Sequence, residues 1–211
     1  MIEVEVNHSE RLGAPRNQGR RPTCLVFTTS DLNAFANATA HLSVEFLCHH
    51  AAKAGESWEP GDGFTVDEVF TAVAYPGQPE ENSYPYRPDS QDAPLQAPPS
   101  GLMPLYQSPS NTRALTLSEI TSLIRQGRAV GIVIAITKSL FYPRDGIIDF
   151  DPYVIPEQFH AMVAVGVGTH RMTNETHIYL RNSWGTGWGN QGHAWVPERH
   201  LQLHMQEGFA V

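Results

Sequence analysis

The sequence predicts an α+β protein. Apolar residues at helical spacing dominate its first half. Runs rich in β-branched and aromatic residues, bounded by Gly, Asp and Pro, dominate its second, and the βαβ alternation of a parallel sheet is missing. Helices first and strands second imply two lobes in one domain over residues 1–211, mainly helical over about 14–113 and mainly β over about 114–211.

IEVEV at residues 2–6 alternates apolar and acidic side chains, a short strand signal. A loop through Gly13, Pro15 and Gly19 then reaches Cys24. CLVFTTSDLNAFANATA follows, with Val26 or Phe27, Leu32, Phe35 and Ala38 near helical spacing, so a largely buried helix is expected to begin at the cysteine. LSVEFLCHHAAK reads as a second helix with Ser43 as N-cap. In GFTVDEVFTAVAY, Thr65 and Glu68 make a capping box ahead of Val66, Val69, Phe70 and Val73. Thr116 and Glu119 repeat that pattern at a fourth, short helix.

Residues 85–109 hold seven of the chain's 16 prolines, which predicts an extended crossing rather than a further domain. Strands are expected in AVGIVIAIT (129–137), HAMVAVGVG (160–168), THIYLRNSW (176–184) and GHAWVP (192–197).

The net charge of −8 and the lack of any Lys/Arg block argue against nucleic acid or an anionic membrane as partner. No apolar run approaches the ~20 residues of a membrane span. MIEVEVNHSERLG has neither the basic nor the apolar region of a secretory leader. Two cysteines, Cys24 and Cys48, suit a reducing compartment, so a cytoplasmic protein is expected.

The residues able to do chemistry start with Cys24. A thiol attacks a carbonyl only as thiolate, and a helix N-terminus or an adjacent imidazolium depresses its pKa. The predicted helix supplies the first, and a histidine must supply the second. His160 stands out because it opens an apolar strand, whereas His49, His50, His170, His200 and His204 sit in polar or helical settings where solvated rings are expected. A histidine base needs a third group to fix its ring. Asn182 ends a strand and is followed by an aromatic able to shield an Asn–His hydrogen bond. The CHH run at 48–50 lacks a second ligand pair at zinc-like spacing, so neither metal nor cofactor is expected.

These segments together resemble the papain-like cysteine peptidases. Gln18, six residues before Cys24, matches the glutamine that donates to the oxyanion in that family. HAMVAVGVG resembles its His-Ala-Val strand, and NSWGTGWGNQGHAWVP its Asn-Ser-Trp-Gly…Trp-Gly…Gly pattern. LSVEFL resembles its Leu-Ser-x-x-x-Leu helix. The 136 residues from Cys24 to His160 also fall inside the family's spacing of roughly 130–150. The resemblance implies a papain-like fold: a helical lobe, an antiparallel β-barrel-like lobe and a cleft between them. It also implies peptide hydrolysis, with Cys24 as nucleophile, His160 as acid/base, Asn182 as orienter and Gln18 in the oxyanion hole.

Gly61 and Gly63 read as turn glycines on their own, and the resemblance implies pairing with substrate backbone. Phe159 is a candidate wall of a specificity pocket, and Trp184 a candidate border on the leaving-group side. The implied partner is a peptide or protein. Arg21-Pro22-Thr23 departs from the family's approach to the nucleophile. Arg21 stands where a disulfide cysteine is expected and Cys48 where its partner falls, so that bridge cannot form. In this the chain resembles prokaryotic members lacking prosegment and disulfides. Two alternatives stay open: an acyl or amide transferase on the same scaffold, and a catalytically silent peptide-binding module.

Overall fold

The computed structural model describes residues 1–55, 57–90, 93–109 and 114–211. Strand β1 (Ile2–Asn7) comes first, and the three helices that follow are α1 (Cys24–Ala36), α2 (Val44–Ala54) and α3 (Val66–Ala74). The helix starts are chemically marked as expected. The Ser43 hydroxyl accepts from the Phe46 N–H, and Thr65 with Glu68 closes a full capping box. Helix α1 does begin at Cys24, but it ends at Ala36. Ala38, expected on its apolar stripe, lies beyond the end with φ of +49°, outside helical geometry.

The second half opens with α4 (Leu117–Arg125), again started by a capping box, at Thr116 and Glu119. It continues through β2 (Val130–Thr137), α5 (Lys138–Phe141), β3 (Val154–His170), β4 (Thr176–Arg181), β5 (His193–Pro197), α6 (Glu198–His204) and β6 (Met205–Phe209). Residues 85–109 contribute no helix or strand among those described, beyond a bridge from Gln78 to Tyr106.

Among the described residues the strands form one antiparallel sheet in the order β5-β4-β3-β2-β6, with β1 on β3. The 17-residue β3 is its spine. It carries β2 and then β1 along one edge and β4 along the other. The sheet does not close. The outer edge of β5 is taken by the backbone around Ile147, and that of β6 by the Leu115 N–H donating to the Gly208 carbonyl. The barrel-like lobe expected from the resemblance is therefore an open sheet. His160 does not open a strand either: β3 starts six residues earlier, and His160 marks where it passes from exposed to buried.

The sheet divides the core. Helix α1 packs on one face and α2 and α3 pack against it, so that Val26, Phe27, Leu47 and Phe70 share one core with Ala161, Val163 and Val165. Helices α4, α5 and α6 pack Ile120, Leu140 and Leu201 against Ile132, Met162 and Leu180 on the other. The alternation of side chains along β3 serves both layers. No described helix is long and apolar enough to cross a membrane.

The expectation of solvated histidines fails at His49, His200 and His204, which are buried. His200 is completely enclosed, packs edge-on to His204 and Phe150, and leaves both ring nitrogens without a partner. A helix that reads as polar, ERHLQLH, here lies on the sheet, and its histidines face inward. Burial first, and the neighbouring His204 second, push the His200 ring down to about 4. Burial and then Arg181 do the same to His193, also to about 4.

An unfolded chain takes up these protons near pH 6.5, the folded chain only near 4, so each ring contributes a stability loss of about 3 kcal/mol as pH falls across that window. Urea midpoints should drop between pH 7 and pH 5, and His200→Leu should shrink that drop. An undiminished drop in the variant would exclude His200 as a source.

Candidate active site

Cys24 sits at the first position of α1. Thr23, its N-cap, makes no side-chain cap, because its hydroxyl is engaged with Tyr86 Oη at 2.8 Å. The first turn carries no acidic residue either. The positive end of the helix is thus left to the sulfur. Burial pushes the half-buried thiol up. The hydrogen bond and charge of the His160 ring, with the backbone N–H groups of Ala161 and Leu25, more than reverse this and leave it below its ordinary value.

His160 is buried on β3, and its Nε2 meets Asn182 Oδ1 at 2.6 Å. The same oxygen accepts the Ser183 N–H at 2.8 Å, which fixes the amide as an acceptor toward the ring. The imidazole Nε2 therefore carries the hydrogen, leaving Nδ1 for the thiol. Trp184 lies over the imidazole at 4.5 Å between centroids, tilted 33°. Behind it Phe141 stacks at 5.3 Å and Trp188 meets it edge-on at 6.0 Å. The Trp188 indole is pinned by donating to the Leu140 carbonyl at 2.8 Å. These rings screen the Asn–His bond from water, which strengthens it.

Gln18 is buried beside this group. Its Oε1 accepts from Ser183 Oγ at 2.6 Å, and Nε2 donates one hydrogen to the Arg21 carbonyl at 2.8 Å. The backbone pairs too: Gln18 N–H donates to the Ser183 carbonyl and Gly185 N–H to the Arg16 carbonyl, with Asn17 bridged to Trp184. Residues 16–18 thus run alongside residues 183–185. The structure therefore brings Cys24, His160, Asn182, Gln18 and Trp184 into one group.

The remaining candidates lie around it. A Cβ added at Gly63 would come within ordinary contact distance of the Pro22 carbonyl, beside the loop that carries the thiol, and Gly61 takes a φ of +96° that favours glycine. Phe159 precedes His160 and is 55% exposed. Sequence reasoning missed Ser183, whose hydroxyl and N–H serve Gln18 and Asn182 together, although it lies inside the NSW run. It also missed Phe141, which no local pattern links to residue 184. A cavity of about 690 Å³ lined by Trp195, His177 and Arg199 contains none of the site residues. No group of three or more potential metal ligands occurs among the described residues.

Residues 7–208 match the model of the papain family cysteine proteases. The chain belongs to that family. A 75-residue stretch is 36% identical to cathepsin K of Gallus gallus, spanning 35% of this chain and 21% of that protein. Xylellain, a cysteine protease from Xylella fastidiosa, superposes with a TM-score of 0.78 at 15% identity, covering all of this chain and 87% of that one. Digestive procathepsin L 3 of Tenebrio molitor gives 0.77 at 19% identity, over 98% of this chain and 69% of that one.

Within this papain-family frame both cysteines are free. Arg21 is buried and makes an ion pair with Glu45 of α2, donates to the Arg87 carbonyl at 3.0 Å and lies 4.7 Å from the centre of the Tyr86 ring. Cys48 is sealed in the core, and burial pushes its thiol far up. Iodoacetamide at neutral pH should therefore label Cys24 at least about 100-fold faster than Cys48, since the thiolate is the reactive form. Peptide mapping after timed quenching reads the ratio, and equal rates would contradict this account of the two thiols.

Proposed function

We propose that the protein hydrolyses peptide bonds through an acyl-enzyme on Cys24. The observation that carries this reading is the connected line from a thiol of lowered pKa, through His160, to Asn182 at 2.6 Å. In this reading the Cys24 thiolate attacks the peptide carbonyl carbon. The Cys24 backbone N–H and the second Gln18 Nε2 hydrogen hold the resulting oxyanion. His160 gives its proton to the departing amine, then takes one from the water that releases the acyl group. Asn182, a neutral acceptor, orients the imidazolium without competing for its charge as a carboxylate would.

Residues 1–211 act together as one catalytic domain on peptide or protein substrates. Gly61, Gly63, Phe159 and Trp184 line the path of the substrate. Two free thiols suit action in a reducing compartment such as the cytoplasm.

Cys24→Ala should abolish hydrolysis of a fluorogenic peptide library. Gln18→Ala should lower kcat by about 10²–10³ through loss of an oxyanion donor. Hydrolysis surviving in purified Cys24→Ala would overturn the assignment. Mass spectrometry of products formed with added amine distinguishes hydrolysis from acyl transfer.

A further inference from the structure

We infer that Asp31 is a positioning residue for the reaction, holding the thiol, the Asn182 orienter and the Gln18 segment in mutual register through two arginines. This rests on the reading of Cys24 as the nucleophile. Asp31 lies seven residues after Cys24 on α1. Seven residues are about two turns, so the two side chains lie on one face of the helix, roughly 10 Å apart along its axis.

One carboxylate oxygen of Asp31 accepts from Arg181 Nε at 2.7 Å, and the other accepts from an Arg16 guanidinium nitrogen at 2.8 Å. Arg181 immediately precedes Asn182 and is 1% exposed. Arg16 lies two residues before Gln18 and also donates to Ser30 Oγ on α1 and to the Leu42 carbonyl. Arg181 in turn donates to the Gly13 and Ala14 carbonyls, just upstream of Arg16. A single carboxylate therefore ties together the three chain segments that carry Cys24, Asn182 and Gln18.

Stability alone does not account for such a cluster. Buried ion pairs are weak stabilisers, and apolar replacements of similar volume are often neutral or better. What charged, directional bonds provide is geometry. Each Asp31 oxygen fixes one arginine, and each arginine precedes a site residue by one or two positions. A displacement of about 1 Å between nucleophile and base lowers rates by as much as 10²-fold. An apolar side chain of similar volume in place of Asp31 would fill the space without setting that distance.

Asp31→Asn keeps the shape and removes the charge. Arg181→Lys keeps a charge and removes the fork. Each variant is compared with wild type for kcat and KM per titrated active site, for the pH profile of Cys24 alkylation, and for thermal midpoint. Positioning predicts that Asp31→Asn lowers kcat by about 10–100-fold with KM changed less than threefold, and moves the acid limb of the alkylation profile upward. Arg181→Lys should lower kcat by a smaller factor, about three- to tenfold, with a near-normal thermal midpoint.

If Asp31→Asn is merely less stable, with wild-type kcat and alkylation profile, the positioning role is wrong. If it does not fold, Arg181→Lys decides: wild-type kcat and profile overturn the inference, and a selective kcat loss supports it. Loss of hydrolysis in Cys24→Ala beside a fully active Asp31→Asn would reject only the positioning role. Hydrolysis surviving in Cys24→Ala would reject the reading beneath it.

Discussion

The contact on which the site depends is a short piece of backbone pairing between residues far apart in the chain, 16–18 against 183–185. It sets a loop from the N-terminal part beside the turn that follows β4. Gln18 then shares Ser183 with Asn182: the serine hydroxyl serves one and its N–H the other. Beneath this ladder, Asp31 bonds to Arg16 in the first piece and to Arg181, at the end of β4 just before the second. Backbone hydrogen bonds fix the register, and the buried charges tie that register to α1. Burial raises a carboxyl pKa, but the charges of Arg181 and Arg16 and their hydrogen bonds hold Asp31 down at about 2, so its charge persists throughout the working range.

The approach to the thiol is built from charge where the family resemblance led one to expect a disulfide. Arg21 is desolvated and bound by Glu45, the Arg87 carbonyl and the Tyr86 ring, while Tyr86 Oη donates to the Gln18 carbonyl at 2.9 Å. The loop is therefore pinned to α2 and to the segment at 86–87 by reversible bonds that need no oxidant. A buried ion pair holds geometry only while both partners remain, because the survivor of a deletion is left charged and unsolvated. Cys48 keeps its place beneath this network as a packing residue.

The aromatic cover has a different origin. Trp184 ends the NSW run, but the ring that stacks on it comes from α5, and Trp188 is oriented by the carbonyl of Leu140 on the same short helix. A four-residue helix after β2 thus decides how dry the His160–Asn182 bond is. Position along the chain says little about such a contact, because it arises where α5 meets the turn that follows β4.

By itself the sequence determined most of the elements and marked side chains able to do chemistry. Capping boxes, the start of α1 at Cys24 and the β-rich second half were legible from local spacing and side-chain chemistry, and Cys24, His160 and Asn182, with Gln18 added by the family resemblance, are residues that the fold brings together. Helix α6 and strand β6 went unread because ERHLQLHMQEGF looks polar, and only packing against the sheet turns its histidines inward. The open sheet, the stacking of Phe141 on Trp184 and the sharing of Asp31 between two arginines were decided by tertiary structure. Each depends on which edges and charges meet after long-range pairing, and chain separations of 15 and 150 residues around one carboxylate leave no periodic trace in the sequence.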